Sequence, residues 1–280
     1  NLPFGVLTFF LARRYLPGNP TRVEGRRFDF PSAVLNALTF GLFIGCVEAF
    51  SHGLSFRWIV AGVVLLAGIG TVFVRRQLRQ PYPMLPFDLL RIPVFSLSVL
   101  TSILSFTSQM LGMVALPFMF HLTFGMSAAE TGLLMTAWPL VIVVAGPLAG
   151  TLATKIHPGL LGGVGLLVMS VGCFLLADVS PSVGYGGLVA RLMLCGFGFG
   201  LFQSPNNHLL LSSAPSYRTG GASGMQATAR LVGQTTGAAL VALLFYLNGD
   251  RAPHAAMWLA GGFTLCGSLV SCSRLRAHRF

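Results

Sequence analysis

Eight apolar runs decide what this chain can fold into. They are Pro31–Phe50, Phe56–Val74, Val94–Phe120, Ala128–Ala153, Leu160–Asp178, Gly186–Leu211, Gly220–Leu247 and Ala255–Ser273. Each can cross a hydrocarbon core of about 30 Å, which takes about 20 helical residues. The expected fold class is therefore all-α, a polytopic transmembrane helix bundle. Threading the runs alternately sorts the basic residues. Arg13, Arg14, Arg22, Arg26, Arg27, Arg75, Arg76, Arg79, Arg91, Lys155, Arg218, Arg274, Arg276 and Arg279 fall on one face. Arg57 and Arg251 take the other, and Arg191 and Arg230 lie inside spans. Lys and Arg excess marks the cytoplasmic side of short loops. The expected setting is the bacterial inner membrane, multi-pass, with the C-terminus cytoplasmic.

Composition bears on partners. Only 9% of residues are charged, against about 25% in soluble domains. A net charge of +11 would suggest nucleic acid in a soluble protein. The one-sided loops already account for it, so no nucleic-acid partner is expected. Cys46, Cys173, Cys195, Cys266 and Cys272 stand singly in apolar runs, without metal-ligand spacing. They read as small packing residues. The 34 glycines suit helices that approach closely.

The opening Asn1–Ala12 is about half a span, closed by Arg13-Arg14, without an initiator Met or a signal-peptide pattern. It reads as the end of a helix whose start lies upstream, making the chain the later part of a longer protein. The expected layout is this end (1–12), a basic connector with Pro17-Gly18-Asn19-Pro20 (13–30), a two-helix hairpin turning at Ser51-His52-Gly53 (31–74), a proline-rich connector (75–93) and a six-helix bundle (94–280).

Asn1-Leu2-Pro3-Phe4-Gly5, Arg27-Phe28-Asp29-Phe30-Pro31, Pro83-Met84-Leu85-Pro86-Phe87-Asp88-Leu89-Leu90-Arg91 and Gly220-Gly221-Ala222-Ser223-Gly224 with Ala229-Arg230-Leu231-Val232-Gly233 occur in an order that resembles one family. It is the fourteen-helix drug:proton antiporter branch of the major facilitator superfamily (the EmrB/QacA type). They are similar to the start of its sixth helix, the start of its seventh, its connector before the last bundle and its thirteenth helix. The resemblance implies a major facilitator fold, here the C-terminal six-helix half plus a two-helix insert. It also implies an N-terminal half of the same protein as partner, and proton-driven drug efflux by alternating access. Gly146–Lys155 departs from the pattern. Thr154 and Lys155 stand where the superfamily's Gly-x-x-x-Asp-Arg loop often has its acid and arginine, which removes the charge relay expected of that loop.

Polar residues inside spans normally face the bundle interior or a cavity. Ser98, Ser102, Ser105 and Gln109 follow a 4, 3, 4 spacing on one helical face. They fit either a substrate pathway or hydrogen-bonding glue between helices. Gly196, Gly200, Gln203 and Asn207 repeat that spacing, with the glycines suited to close packing, the amides to lining, and Pro205 to a bend. Arg191, followed by Leu192-Met193-Leu194-Cys195-Gly196, resembles an Arg-x-x-x-x-Gly pattern of the first half's fourth helix. Snorkelling at the outer end is the alternative. Arg230 lies about halfway along its span with Gln226, Gly233, Gln234 and Gly237. A helix-centre arginine costs about 2.5–3.5 kcal/mol to insert, so it needs a partner. Gly233 and Gly237, like Arg191, Gly196, Gly200 and Pro205, are candidates for structure or gating.

Every acid lies near a span end or in a connector, as does every histidine. The proton-carrying group of an antiporter would then belong to the upstream half. Phosphate-loop, dinucleotide, zincin and nucleophile-elbow motifs do not occur, so neither an enzyme nor a cofactor is expected. Phe106, Met110, Met113, Met135 and Trp138 would suit a lipophilic, cationic small molecule. Transport of one specific metabolite and a non-transporting scaffold are the alternatives.

Overall fold

A computed structural model describes residues 2–15, 29–51, 55–80 and 83–277. The turn residues 17–20, Arg22, Arg26, Arg27, His52, Gly53 and Arg279 lie outside them. Among the described residues all regular structure is helical. Contacts divide the chain into Asn1–Phe30 and Pro31–Phe280. The first unit holds α1 (Leu2–Tyr15), fourteen residues with Arg13 and Arg14 in the last turn and no buried side chain. At about 1.5 Å per residue it is too short to cross a bilayer.

The second unit opens with α2 (Phe30–Ser51) and α3 (Phe56–Arg79). Arg76 Nε donates to the Ser32 hydroxyl at 3.1 Å, tying the two helices at one end. The helix α3 runs past the expected end at Val74, so Arg75, Arg76 and Arg79 are helical rather than in a connector. No breaker precedes Pro81, and a proline restricts only the residue before it. After Pro83 and Pro86 the chain makes a short 3₁₀ turn, Phe87–Arg91.

Pro93, whose missing N–H costs nothing at a first helical position, starts α4 (Pro93–Phe124). Gly125 ends it at φ 64°, where its N–H and that of Met126 bond back to His121 and Phe120. A side chain would be strained in that left-handed conformation. Ser127 and Glu130 cap the next helix reciprocally, the Ser127 N–H donating to Glu130 Oε2 at 2.8 Å and the Glu130 N–H to Ser127 Oγ at 3.3 Å. The expected span Ala128–Ala153 is two helices, α5 (Ala128–Met135) and α6 (Ala137–Leu152). Pro139 explains the break, because it has no N–H for the Met135 carbonyl. Then follow α7 (Pro158–Ala177), α8 (Tyr185–Ser212), α9 (Thr219–Asn248) and α10 (Ala252–Ala277).

Packing runs in a chain of neighbours: α6 against α8, α8 against α7, α7 against α10, α10 against α4, and α4 against α9. Small residues set the spacing. A Cβ on Gly198 would lie 2.5 Å from the Gly165 carbonyl, and one on Gly165 would lie 2.7 Å from the Gly198 carbonyl. Hydroxyl staples supplement the contact. Ser108 donates to the Ala260 carbonyl (2.9 Å), Ser170 to Gly261 (2.8 Å), Ser268 to Gly163 (2.8 Å) and Ser271 to Gly159 (2.8 Å). All four involve α10, which is the glued centre of the bundle.

The outside is apolar too. Leu140, Val143 and Val144 on α6 are 64–71% exposed, a surface that water would penalise and lipid accepts. Six stretches among the described residues are long and apolar enough to cross a membrane, the last (Ser216–Leu275) containing both α9 and α10. The chain is a multi-pass membrane protein.

Candidate functional site

Glycines bring α9 onto α4. A Cβ on Gly233 would meet the Ile103 carbonyl at 2.7 Å and Phe106 Cβ at 2.8 Å, and one on Gly237 the Thr107 carbonyl at 2.6 Å. This close approach sets Arg230, one turn before Gly233, above Phe106. The guanidinium carbon stands 5.5 Å from the ring centroid, within cation–π range. Phe106 is itself fixed edge-on against Phe199 at 5.6 Å.

Around Arg230 opens a cavity of about 620 Å³. From α8 it takes Gln203 and Asn207, and from α9 Ser223, Gln226, Ala227, Arg230, Leu231 and Gln234; Phe106 is its floor. Gln226, Arg230 and Gln234 are four apart, so they form one stripe along the helix. Arg230 lies 11 residues from the start of α9, about 16 Å, or half a hydrocarbon core. It is exposed in the cavity, and among the described residues it makes no hydrogen bond or ion pair. Among the described residues no acid and no histidine lines the wall. A cationic ligand brought within about 5 Å of it would be repelled by about 3 kcal/mol at an effective dielectric near 20. Phe106, Met110, Met113, Met135 and Trp138 are the aromatic and Met residues expected to suit a lipophilic cation. Of those, only Phe106 reaches the cavity.

The serine stripe of α4 lies elsewhere. Ser98, Ser102 and Ser105 are at most 1% exposed and do not touch the cavity. Ser102 accepts from Asn206 Nδ2 at 2.8 Å, and Ser98 accepts from Arg274 at 3.2 Å. Gln109 and Met113, at the far end of the stripe, are half-buried and also off the cavity, and Met113 packs on the core. Trp138 is fully buried among core residues, its Nε1 without a partner among the described residues. The stripe therefore sits in a dry helix contact, where serines pair with what faces them.

What faces Ser98 is Arg274, the residue that sequence reasoning misplaced. The apolar run predicts an end at Ser273 with Arg274 beyond it, but α10 continues to Ala277 and buries Arg274 to 1% exposure. Its Nη1 donates to Ser98 and, at 2.8 Å, to Asn206 Oδ1; its Nη2 donates to Thr101 (3.1 Å) and Ser271 (2.8 Å). Every partner is a neutral oxygen. A signal existed: Thr264, Ser268, Ser271 and Arg274 follow helical spacing on one polar stripe. Asn206 ties this network to the cavity wall, because its chain neighbour Asn207 lines the cavity. Pro205 beside it is buried and leaves the Leu201 carbonyl without its helical donor.

The remaining candidates are packing positions. Gly196 and Gly200 face α6, where added Cβ atoms would meet the Trp138 carbonyl at 2.4 Å and Ala145 Cβ at 2.6 Å. Arg191 is half-buried on α8, with Nη1 buried and unpaired among the described residues. At the end of the bundle where α9 starts, Asp88 accepts two hydrogen bonds from Arg218, one of 2.9 Å from Nη2 to Oδ1 and a shorter one from Nη1 to Oδ2. The Arg218 hydrogen bonds hold the Asp88 carboxyl below its ordinary range. This pair fastens the segment before α4 to the start of α9.

The chain is thus an apolar-faced helix bundle with a polar, open cavity between α8 and α9. The chain belongs to the Major Facilitator Superfamily, whose model matches residues 4–238 and 97–278. It is 49% identical to the uncharacterized transporter YebQ of Escherichia coli (strain K12) over 279 residues, all of this chain and 61% of that protein. It is 28% identical to the multidrug efflux pump LfrA of Mycolicibacterium smegmatis over 78% of this chain and 43% of that one. It is also 28% identical to the multidrug resistance protein Stp of Mycobacterium tuberculosis, over 91% of this chain and 48% of that one. The chain thus spans about half of the length of these relatives.

Proposed function

We propose that this chain is the C-terminal part of a proton-driven exporter of the fourteen-helix drug:proton antiporter branch. It sits in the bacterial inner membrane with its C-terminus in the cytoplasm. An N-terminal half of the same polypeptide completes the central site, and the two halves rock around it in alternating access. The observation that carries this reading is the half-open cavity around Arg230, a charged wall whose lining among the described residues comes from α4, α8 and α9 alone. The length of the relatives, and the printed descriptions of LfrA and Stp, support export of small molecules. The proton-binding group is expected in the N-terminal half, since among the described residues no carboxylate or histidine lines this wall. The basic residues of α1, α3 and the segment before α4 support the orientation.

The test is flux in everted membrane vesicles with an imposed pH gradient. The polypeptide with its upstream sequence should move a fluorescent dye, and this chain alone should move none. Proton-driven flux by this chain alone would mean that coupling resides in these helices. Absence of pH-dependent flux from the longer polypeptide, across anionic, neutral and cationic dyes, would defeat the exporter reading.

A further inference from the structure

We infer that the Arg230 wall recognises a carboxylate on the transported molecule, so that its substrates are organic anions or zwitterions rather than simple cations. The inference deepens the transporter reading and rests on it. Three features of the site converge.

First, Arg230 has a fixed pose but an empty donor edge. Its guanidinium carbon stands over the Phe106 ring, 5.5 Å from the centroid, and no described residue accepts from its N–H groups. A guanidinium offers five donors in a planar fork that fits a carboxylate through two parallel bonds. A cation–π contact supplies no oxygen acceptor, so the guanidinium can still form that pair. Second, the flanking groups suit the same ligand. Gln226 and Gln234 stand one turn to either side, about 6 Å along the helix axis, with Gln203 and Asn207 across the cavity on α8. Carboxamides donate and accept, so they can bind the second oxygen of a carboxylate or neighbouring hydroxyl and carbonyl groups without adding charge. Third, no carboxylate on this wall competes for Arg230 or attracts a cation.

A carboxylate belonging to the polypeptide itself could engage Arg230 in the same way. The experiment separates the two sources with a pair of dyes built on the same xanthene ring, anionic carboxyfluorescein and cationic rhodamine 6G. Binding to the longer polypeptide purified in detergent is read by fluorescence anisotropy, and flux is read separately in vesicles carrying the same polypeptide. Carboxyfluorescein should bind about tenfold more tightly than rhodamine 6G, and Arg230→Gln should remove that preference. Arg230→Lys should recover only part of it, since an ammonium lacks the fork. Size-exclusion profiles confirm that each variant remains assembled. Equal or tighter binding of rhodamine 6G overturns the inference. So does carboxyfluorescein binding that Arg230→Gln leaves unchanged, which is the result expected if a carboxylate of the polypeptide occupies the arginine. If anion binding is intact and depends on Arg230 but vesicles show no proton-driven flux of either dye, the exporter reading fails and the anion site stands.

Discussion

Two arginines in this bundle live under opposite conditions. Arg274 is at most 1% exposed and gives its N–H groups to Ser98, Thr101, Asn206 and Ser271. Arg230, on a helix that packs against the same α4, is exposed in a cavity and meets only the face of Phe106. Both are costly to place in a membrane. The first offsets that cost with neutral acceptors from two neighbouring helices, α4 and α8, and from Ser271 on its own α10, and so acts as a brace for the three. The second has no acceptor among the described residues, which leaves its donors for the ligand proposed above. The two differ in the acceptors that the described residues supply: Arg274 has four although its Nε stays unpaired, and Arg230 has none.

The comparison breaks most readily at Arg274. Arg274→Ala empties a large buried volume and leaves the Asn206 carbonyl oxygen unpaired, a loss of about 3–5 kcal/mol. The expected result is a steep fall in thermal midpoint and in monodisperse protein. Arg274→Met should recover much of that loss, because it fills the space and removes a buried charge that has no anion beside it. A methionine variant as unstable as the alanine one would show that the hydrogen bonds, not the volume, hold the three helices together.

A smaller effect is expected where α9 meets α4. Gly233→Ala places a methyl 2.7 Å from the Ile103 carbonyl, and backbone cannot yield as a side chain can. Overpacking of this kind costs about 1–3 kcal/mol. It should also lift Arg230 off Phe106 and so weaken ligand binding beyond the loss of stability. Gly220→Ala, with nothing within 4 Å of the added atom, is the matched control. It should be neutral or gain up to about 1 kcal/mol, as alanine does in a helix. Equal effects at the two positions would mean that the α4–α9 contact does not set the wall.

The contrast also explains what the sequence could convey. Apolar runs located the helices, because length and hydropathy are local properties. Spacing on one helix brought Gln226, Arg230 and Gln234 together, since a stripe is fixed by the 3.6-residue period alone. It also grouped Gln203 with Asn207. Sequence could not say which of two equal-looking stripes meets a cavity. Ser98, Ser102 and Ser105 have the same periodicity, but their surroundings depend on α8 and α10, about 100 and 170 residues further on. Arg274 was lost for a related reason: a charge near the end of an apolar run reads as its boundary until the polar partners across the bundle are known. The break at Thr136 was legible in principle from Pro139, though no hydropathy profile marks it.

The smallest effect concerns the clasp between Asp88 and Arg218, at the end of the bundle where the open wall begins. Asp88 is 43% exposed, so solvent screens the pair, and Asp88→Asn should cost no more than about 1 kcal/mol. Its pH dependence has a definite sign. The Arg218 hydrogen bonds lower the Asp88 carboxyl from its ordinary value, so the folded state favours the ionised form. The contribution is then fully present above the unfolded value of about 4 and is lost as pH falls through the lowered folded value. The difference in thermal midpoint between the parent protein and Asp88→Asn should stay constant from about pH 5 to 8 and shrink below about pH 4. Anion binding at Arg230, measured at neutral pH, should change little in the variant if the wall is held by the α4–α9 glycine contact. A drop in binding larger than the drop in stability would instead make the clasp a part of the site, extending the functional region from the cavity to the segment before α4.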